Sequence, residues 1–438
     1  MQHSIPKGTF DILPAEAKTE DQWKEIHKWS FVESVLRKTA SDYGFSEIRT
    51  PIFEHTDLFT RGVGDSSDIV TKEMYTFPDK AGRSLTLRPE GTAAVMRAFI
   101  ENKLYESAKI TKLFYIGPMF RYERPQAGRY RQHHQFGAEV VGLSSPYQDA
   151  EMIDMVCEIY RRLGIKDLSV IINSVGDESS RRSYKEALTT YLQPNFEKLS
   201  EDSKTRFTKN ILRILDSKDP KDQALLENAP SILDFLSEAS KAHFKTVCHL
   251  LDSMKISYEI NAKLVRGLDY YNQTVFEVTC GKLGAQNTIG AGGRYDELIK
   301  DLGGPALPAV GFASGIERIL HTMEKQNCTF PIPSHPFVYI IALDNESQEF
   351  CFTLLCNLRH AHVPMQMDFS QKKLSQCLQN ANSFHTDYVV VIGESELQAK
   401  KVKLKHMNSR VEEEVTLSIL PETIENLWKT KKNQDRES

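Results

Sequence analysis

Residues 112–142, KLFYIGPMFRYERPQAGRYRQHHQFGAEVVG, decide how the rest of the chain is read. The first part carries Leu113, Phe114, Tyr115 and Ile116 towards Arg121, and the last part alternates Phe136, Ala138 and Val140 with Gln135, Gly137 and Glu139. A repeat of two is the period of a β-strand, so the pattern predicts two apolar strands and puts Gln135 and Glu139 on one face. Between the strands Arg124, Arg129 and Arg131 surround Pro125 and Gly128, in a loop too charged to bury and too rich in guanidinium to be neutral towards anions. Two readings stand side by side at this point: the tip of a solvated hairpin, or an arginine rim for a phosphate-bearing substrate.

Working outward, 438 residues exceed one ordinary core and predict two or three domains. Hydrophobic content of 40% with 26% charged residues marks a globular chain, and a net charge of -4 excludes whole-molecule affinity for nucleic acid in favour of local patches. The seven cysteines are scattered; only Cys351 and Cys356 lie close together, without partners at metal spacing, so they read as small core residues in a reducing cytoplasm. No apolar run reaches the roughly 20 residues of a membrane helix, and the opening MQHSIPKGTFDILP lacks the apolar stretch of a signal peptide.

Before the hairpin, Pro6, Gly8 and Pro14 mark an irregular entry, and Trp23, Ile26, Trp29, Val32, Val35 and Leu36 give residues 19–43 helical spacing. Residues 45–53 read as one strand whose Pro51 belongs at an edge or an interface, a candidate dimer contact. Short strands follow at 74–77 and 84–87. Glu90 and Thr92 then sit where a strand meets a helix over 93–104, either projecting into a cleft or, for Thr92, capping that helix. After the hairpin come a helix over 147–163, a strand over 168–173 and a polar, helical stretch over 179–254 that reads as an insertion. Arg266 to Tyr271 precede an alternating run at 274–280, and Gly290, Gly292 and Gly293 let a strand approach a ligand or another backbone. A strand at 309–312 leads into a helix over 313–323 whose first turns carry Gly315 and Arg318, a place that favours anions. Pro331 and Pro333 mark a linker. Beyond it, strands at 338–343, 365–367 and 388–392 alternate with helices at 348–360 and 371–381, implying a small α/β domain. Lys400, Lys401, Lys403 and Lys405 form a strip that is a solvated face or a binding surface, and the charged stretch after Trp428 reads as a disordered tail.

On these residues the chain resembles the class II histidyl-tRNA synthetases over almost its whole length. FRYERPQAGRYRQHHQFGAEVVG is similar to their second motif and AVGFASGIERIL, with Arg318, to their third, while LVRGLDYYNQTVFE and AGGRYD resemble two segments particular to histidyl enzymes. Ala127, where a lysine is frequent, and His133, where an aromatic is frequent, depart from the pattern and are expected to adjust contacts with the tRNA acceptor end. The resemblance implies an α+β fold: an antiparallel-sheet catalytic domain over 1–325 with a helical insertion over about 179–254, a linker at 326–336, an α/β anticodon-binding domain over 337–427 and a tail at 428–438. It implies a homodimer with Pro51 in the interface, and two reactions: L-histidine and ATP give histidyl-adenylate and pyrophosphate, then the histidyl group passes to the terminal adenosine of tRNA(His).

Carried onto this sequence, the resemblance gives Arg121 the α-phosphate and the amino-acid carboxylate, Arg318 the γ-phosphate, and Arg266 the α-phosphate from the opposite side. Glu90, Thr92 and Gln135 receive the α-amino group, Glu139 and Tyr271 read the two imidazole nitrogens, and Tyr270 and Tyr295 line the pocket. Magnesium is expected with ATP and not in a protein cage. A site whose buried polar groups need both nitrogens rejects analogues by roughly 10⁴ or more, so no editing domain is expected. The alternatives are a non-catalytic regulatory paralogue of histidine biosynthesis, which lacks the anticodon domain, and a class II enzyme for another amino acid. The presence of residues 338–427 and of all three arginines weighs against the first; Glu139 with Tyr270 and Tyr271 weighs against the second.

Overall fold

The computed structural model describes residues 3–15, 18–64, 67–125, 128–281, 287–333, 335–369 and 373–437. They fall into two compact units, Met1–Pro331 and Ile332–Ser438, and both mix sheets with helices, an α+β organisation. The first unit contributes β1 (Ser46–Glu47), β2 (Phe53–His55), β3 (Tyr75–Pro78), β4 (Ser84–Leu87), β5 (Thr111–Phe120), β6 (Gln132–Val141), β7 (Leu168–Ser174), β8 (Tyr258–Ile260), β9 (Asn272–Cys280), β10 (Thr288–Arg294) and β11 (Ala309–Gly315). Eight of them form one sheet in the order β1-β5-β6-β11-β10-β9-β7-β8, antiparallel from β5 through β7 and parallel at the two edge pairs. The remaining three make a small sheet, β2-β4-β3.

The period of two assigns the faces of the large sheet. Phe136, Ala138 and Val140 of β6, Val310 and Phe312 of β11, and Phe276 and Val278 of β9 pack in one cluster with Trp29, Val32 and Leu36 of the helix Ile26–Asp42 and Ile153, Val156 and Tyr160 of the helix Pro146–Arg162. The second helix begins where Ser145 accepts a hydrogen bond from the Tyr147 amide and Pro146 supplies a ready-set first turn. On the opposite face Leu113, Tyr115 and Met119 of β5 and Val141 of β6 pack with Val95, Met96 and Phe99 of the helix Thr92–Glu101, which covers part of it. Between β7 and β8 lie the helices Glu178–Leu192, Glu201–Lys209 and Pro220–Leu226, with their own cluster around Tyr184, Leu188 and Ile214, and the helix Glu238–Ser253, whose Phe244, Val247 and Leu251 join the main cluster.

The strand expected over residues 45–53 is two strands, β1 and β2, with Pro51 in the break. Pro51 has no N–H for a ladder, and the Arg88 guanidinium takes the freed carbonyls, donating to Thr50 O at 3.0 Å and Pro51 O at 3.4 Å. The last helix also starts later than expected. Pairing of β11 with β6 continues to Gly315 opposite Gln135, so the helix is Ile316–Lys325.

In the second unit β12 (Val338–Ala342), β13 (Met365–Met367), β14 (Tyr388–Ile392), β15 (Lys401–His406) and β16 (Glu412–Thr416) follow the order β13-β12-β14-β15-β16. The first three are parallel and the β15–β16 hairpin, not foreseen in the sequence, is antiparallel. Val402 and Leu404 point into the core while Lys403 and Lys405 lie opposite Glu414 and Glu412 of β16, with Lys401 reaching Glu414 diagonally at 2.6 Å and Lys405–Glu412 at 3.2 Å. The lysine strip is thus partly neutralised across the hairpin. The charged stretch after Trp428 is not irregular: the helix Leu420–Glu437 runs through it, tied down by Lys431, whose ammonium lies 2.6 Å from Asp387 and over the Phe337 ring.

One buried ion pair joins strand, helix and insertion. Arg294, at the end of β10, and Asp149, on the helix Pro146–Arg162, are both fully buried. Arg294 Nε donates to Asp149 Oδ1 at 3.0 Å, and His243 of the helix Glu238–Ser253 lies 2.7 Å from the other oxygen. Removing one member strands the other charge, so Arg294→Ala is expected to cost about 3–5 kcal/mol of stability in urea unfolding; a loss under about 1 kcal/mol would show that water reaches Asp149 and replaces the guanidinium.

Candidate active site

The face of the large sheet away from the helices Ile26–Asp42 and Pro146–Arg162 carries an open cleft of about 240 Å³. Register explains its floor. Glu139 of β6 lies opposite Gly311 of β11, which lies opposite Gly293 of β10; Gly137 lies opposite Ala313, which lies opposite Ala291. The middle of the floor is therefore glycine and alanine, which lets side chains and ligands lie directly on the backbone. A Cβ at Gly311 would fall 1.7 Å from Glu139 Oε2, and Cβ atoms at Gly91 and Gly137 would fall 2.3 Å and 2.2 Å from the Tyr115 ring.

All ten residues singled out in the sequence line this one cleft: Glu90, Thr92, Arg121, Gln135, Glu139, Arg266, Tyr270, Tyr271, Tyr295 and Arg318. At one end Glu139 is 1% exposed. Its carboxyl accepts from the Thr92 hydroxyl at 2.7 Å and from the Tyr295 hydroxyl, and among the described residues no cation pairs with it. Burial, reinforced by the neighbouring Glu90 and only partly offset by the two hydroxyl donors, pushes its pKa up to about 8. Tyr270 stands between Tyr271 and Tyr295, with ring centroids 4.6 Å and 5.3 Å away. Thr92 does not cap its helix. Glu90 does, accepting from the Thr92 amide at 2.6 Å and the Ala93 amide at 2.8 Å, and this leaves the Thr92 hydroxyl free to reach Glu139.

The other end is cationic. Arg121 Nε donates to Pro89 O at 2.8 Å, Arg318 Nη1 to Thr288 O at 2.8 Å, and Arg266 Nη1 pairs with Glu277. Burial lowers the pKa of Arg318, and Arg129 and Arg121 lower it further. Guanidinium groups that repel one another around an open space make a place for an anion. Of the loop arginines, Arg129 lies 3.5 Å from Glu123 and Arg131 stacks 4.0 Å over the Tyr122 ring, so Arg131 is structural.

Three buried polar atoms facing this region have no hydrogen-bond partner among the described residues: the Tyr115 hydroxyl, Gln135 Oε1 and Arg266 Nε. Buried polar atoms ordinarily find partners, so a polar ligand is what this set lacks. Tyr115 was not foreseen as a lining residue, although its place opposite Gly137 in the β5–β6 register follows from the same alternation that singled out Gln135. Glu277 and Glu317 also line or border the cleft unforeseen; Glu317 accepts the His134 amide at 2.8 Å. His133 also lines the cleft, half-buried, and burial together with Arg121, His134 and Arg318 lowers its pKa to about 3. Ala127 lies outside the described residues.

Residues 8–319 match the family model described as histidyl-tRNA synthetase, and residues 337–427 match the anticodon binding domain. A histidine–tRNA ligase of Protochlamydia amoebophila (strain UWE25) is 55% identical across 97% of this chain and 100% of that protein. One from Bacillus subtilis (strain 168) is 45% identical across 95% of this chain and 97% of that protein. The crystal structure of apo S. aureus histidyl-tRNA synthetase superposes with a TM-score of 0.82 at 37% identity, over 97% of this chain and 100% of that one.

The raised pKa of Glu139 has a measurable sign. A carboxyl at about 8 in the folded state and 4.5 in the unfolded state stabilises the fold below pH 4.5, and that contribution is lost as pH rises through about 8. Glu139→Gln cannot ionise. In ligand-free protein it is expected to gain stability over the parent by a few kcal/mol between about pH 5 and about pH 9, read by urea unfolding at each pH. A pH-independent difference would mean that Glu139 ionises normally in the cleft.

Proposed function

The chain belongs to the histidyl-tRNA synthetase family, and from that premise we propose how its cleft divides the work of a reaction in which L-histidine and ATP form histidyl-adenylate and the histidyl group then passes to tRNA(His). The observation that carries the division is Glu139, a buried carboxyl without a cation at the aromatic end of a cleft whose other end is arginine. An imidazole N–H placed against it supplies the missing donor and restores its ionised form. In this reading Glu139 and Tyr271 bind the two ring nitrogens and Tyr270 and Tyr295 enclose the ring. The α-ammonium faces Glu90, Thr92 and the unpartnered Gln135 Oε1.

The histidine carboxylate must then attack a phosphorus surrounded by negative oxygens. Little covalent help is available from side chains, so the barrier is lowered by holding the reactants in line and by cations placed where charge grows. We assign Arg121 to the carboxylate and α-phosphate, Arg266 to the α-phosphate from the other side and Arg318 to the γ-phosphate. Among the described residues no cluster of three or more metal-ligating side chains is present. Glu277 and Glu317 are engaged by protein donors, and magnesium is assigned to the ATP phosphates. On the phosphates it would neutralise charge.

For the transfer step the unit matching the anticodon binding domain would hold the tRNA. The regulatory-paralogue alternative is weaker because such proteins lack that unit. A homodimer is favoured by Ile52, Phe53 and Phe77, which are 45%, 51% and 41% exposed next to Pro51. No helix among the described residues is long and apolar enough to cross a membrane, and the seven cysteines are free thiols; cytoplasmic operation suits both.

ATP–pyrophosphate exchange across the amino acids tests the reading directly: histidine alone should support it. In the same assay Glu139→Gln should weaken histidine about 10- to 150-fold, the value of a charge-assisted hydrogen bond, with ATP nearly unaffected; equal losses for both ligands would make Glu139 structural. Arg266→Ala should slow adenylate formation by roughly 10²–10³ in single turnover, by analogy with loss of one oxyanion donor, and spare transfer from preformed adenylate. Activation at the parental rate would remove Arg266 from the reaction.

A further inference from the structure

Residues 261–271 carry Arg266, Tyr270 and Tyr271 into the cleft, yet they belong to no helix or strand. A segment without a ladder of its own is placed by its tertiary partners, and two of these come from the inserted helical stretch. Arg181, on the helix Glu178–Leu192, donates from Nη1 to the Tyr271 carbonyl at 3.1 Å across 90 positions of sequence. Asn210, which ends the helix Glu201–Lys209, donates from Nδ2 to Asp269 Oδ1 at 2.8 Å. From the other side the Asp269 amide donates to Val63 O at 3.2 Å, and Gly64, at φ +98°, leaves room for Asp269, which would lie 2.5 Å from a Cβ there. Leu268 packs against Leu58, Phe59 and Val63. Neither Arg181 nor Asn210 lines the cleft.

We propose that Arg181 and Asn210 are positioning residues for histidine, through which the inserted helices set the aim of the Tyr270–Tyr271 pair. The inference rests on the assignment of those tyrosines to the histidine pocket. The carbonyl of Tyr271 shares a Cα with its side chain, so a charged donor fixed on a helix settles where the phenol points. Asn210 acts one step earlier, closing the turn at Asp269 against the backbone of Val63. Without these bonds the segment samples other conformations, and histidine must select the competent one at a cost in apparent affinity. Arg266 is held separately, by Glu277 on β9, so ATP binding should be affected far less. The bonds report on one substrate of the two.

The test uses the full-length protein in ATP–pyrophosphate exchange. Arg181→Ala is expected to raise the KM for histidine by about 3- to 10-fold, the range of one lost hydrogen bond, and to leave the KM for ATP within about 2-fold. Asn210→Asp, which keeps the shape but turns a carboxylate towards Asp269, should do the same or more. Arg181→Lys, which keeps a cationic donor, should restore most of the histidine affinity. Urea midpoints of all three variants separate aim from stability, and Arg181→Lys remains informative if Arg181→Ala folds poorly. Unchanged histidine KM in both Arg181→Ala and Asn210→Asp overturns the proposal, as does a parallel rise for histidine and ATP. Tyr271→Phe, run alongside, tells the two failures apart. If it leaves the histidine KM unchanged, the pocket assignment falls and takes this inference with it; if it raises the KM while the Arg181 and Asn210 variants do not, only the positioning role is lost.

Discussion

A carboxyl buried without a counter-charge is the constraint around which the first unit is arranged. Glu139 lies flat over Gly311, and any β-carbon there would occupy the place of its oxygen. Its two hydroxyl donors arrive from different parts of the chain, Thr92 at a helix start and Tyr295 just beyond β10. Each depends on further structure: Thr92 is free to turn inward because Glu90 caps the helix, and Tyr295 is placed by a strand end that Arg294 locks to Asp149. Desolvation opposes the ionised carboxylate, and a ligand with a polarised N–H would favour it. Shifts of this kind concentrate where a protein binds.

The arginine end repeats that logic with opposite sign. Arg318 feels Arg129 and Arg121, and His133 stays neutral between Arg121 and Arg318. Glu123 and Glu277 offset only part of this positive charge, and a polyphosphate would offset more of it. The two ends therefore attract different parts of a composite ligand set, and the small residues of β10 and β11 between them leave the bridge open for the reacting atoms. Packing on the reverse face makes this possible: the helices Ile26–Asp42 and Pro146–Arg162 bury the aromatic and branched side chains of the same strands, so β10 and β11 do not need bulk on their cleft side.

How much of this could be read without coordinates varied with the range of the interaction. Alternation over residues 135–140 correctly put Gln135 and Glu139 on one face, because side-chain parity is a local property of a strand. Glycine at 290, 292 and 293 pointed to close approach for the same reason. The break at Pro51 was not legible: a proline signals an edge but not that Arg88, 37 positions away, would take the carbonyl it frees. The late start of the helix Ile316–Lys325 was set by its partner strand β6, and the helix that continues past Trp428 is anchored by Asp387, which no window around the tail contains. The β15–β16 hairpin was missed because its alternating lysines read as a charge run.

The sequence by itself determined strand parity, the cationic loop and the linker, since periodicity, turn residues and charge act between near neighbours, while the α+β class and the roles expected of the motif residues came from its resemblance to the class II histidyl-tRNA synthetases. Tertiary structure alone decided that all ten residues meet in one cleft. It decided that Glu90 and not Thr92 caps the helix, that Tyr115 and His133 belong to the cleft wall, and that Arg181 and Asn210 reach the segment carrying Tyr271. Those outcomes depend on desolvation and on contacts across tens to hundreds of residues, and neither is a property of any short stretch of chain.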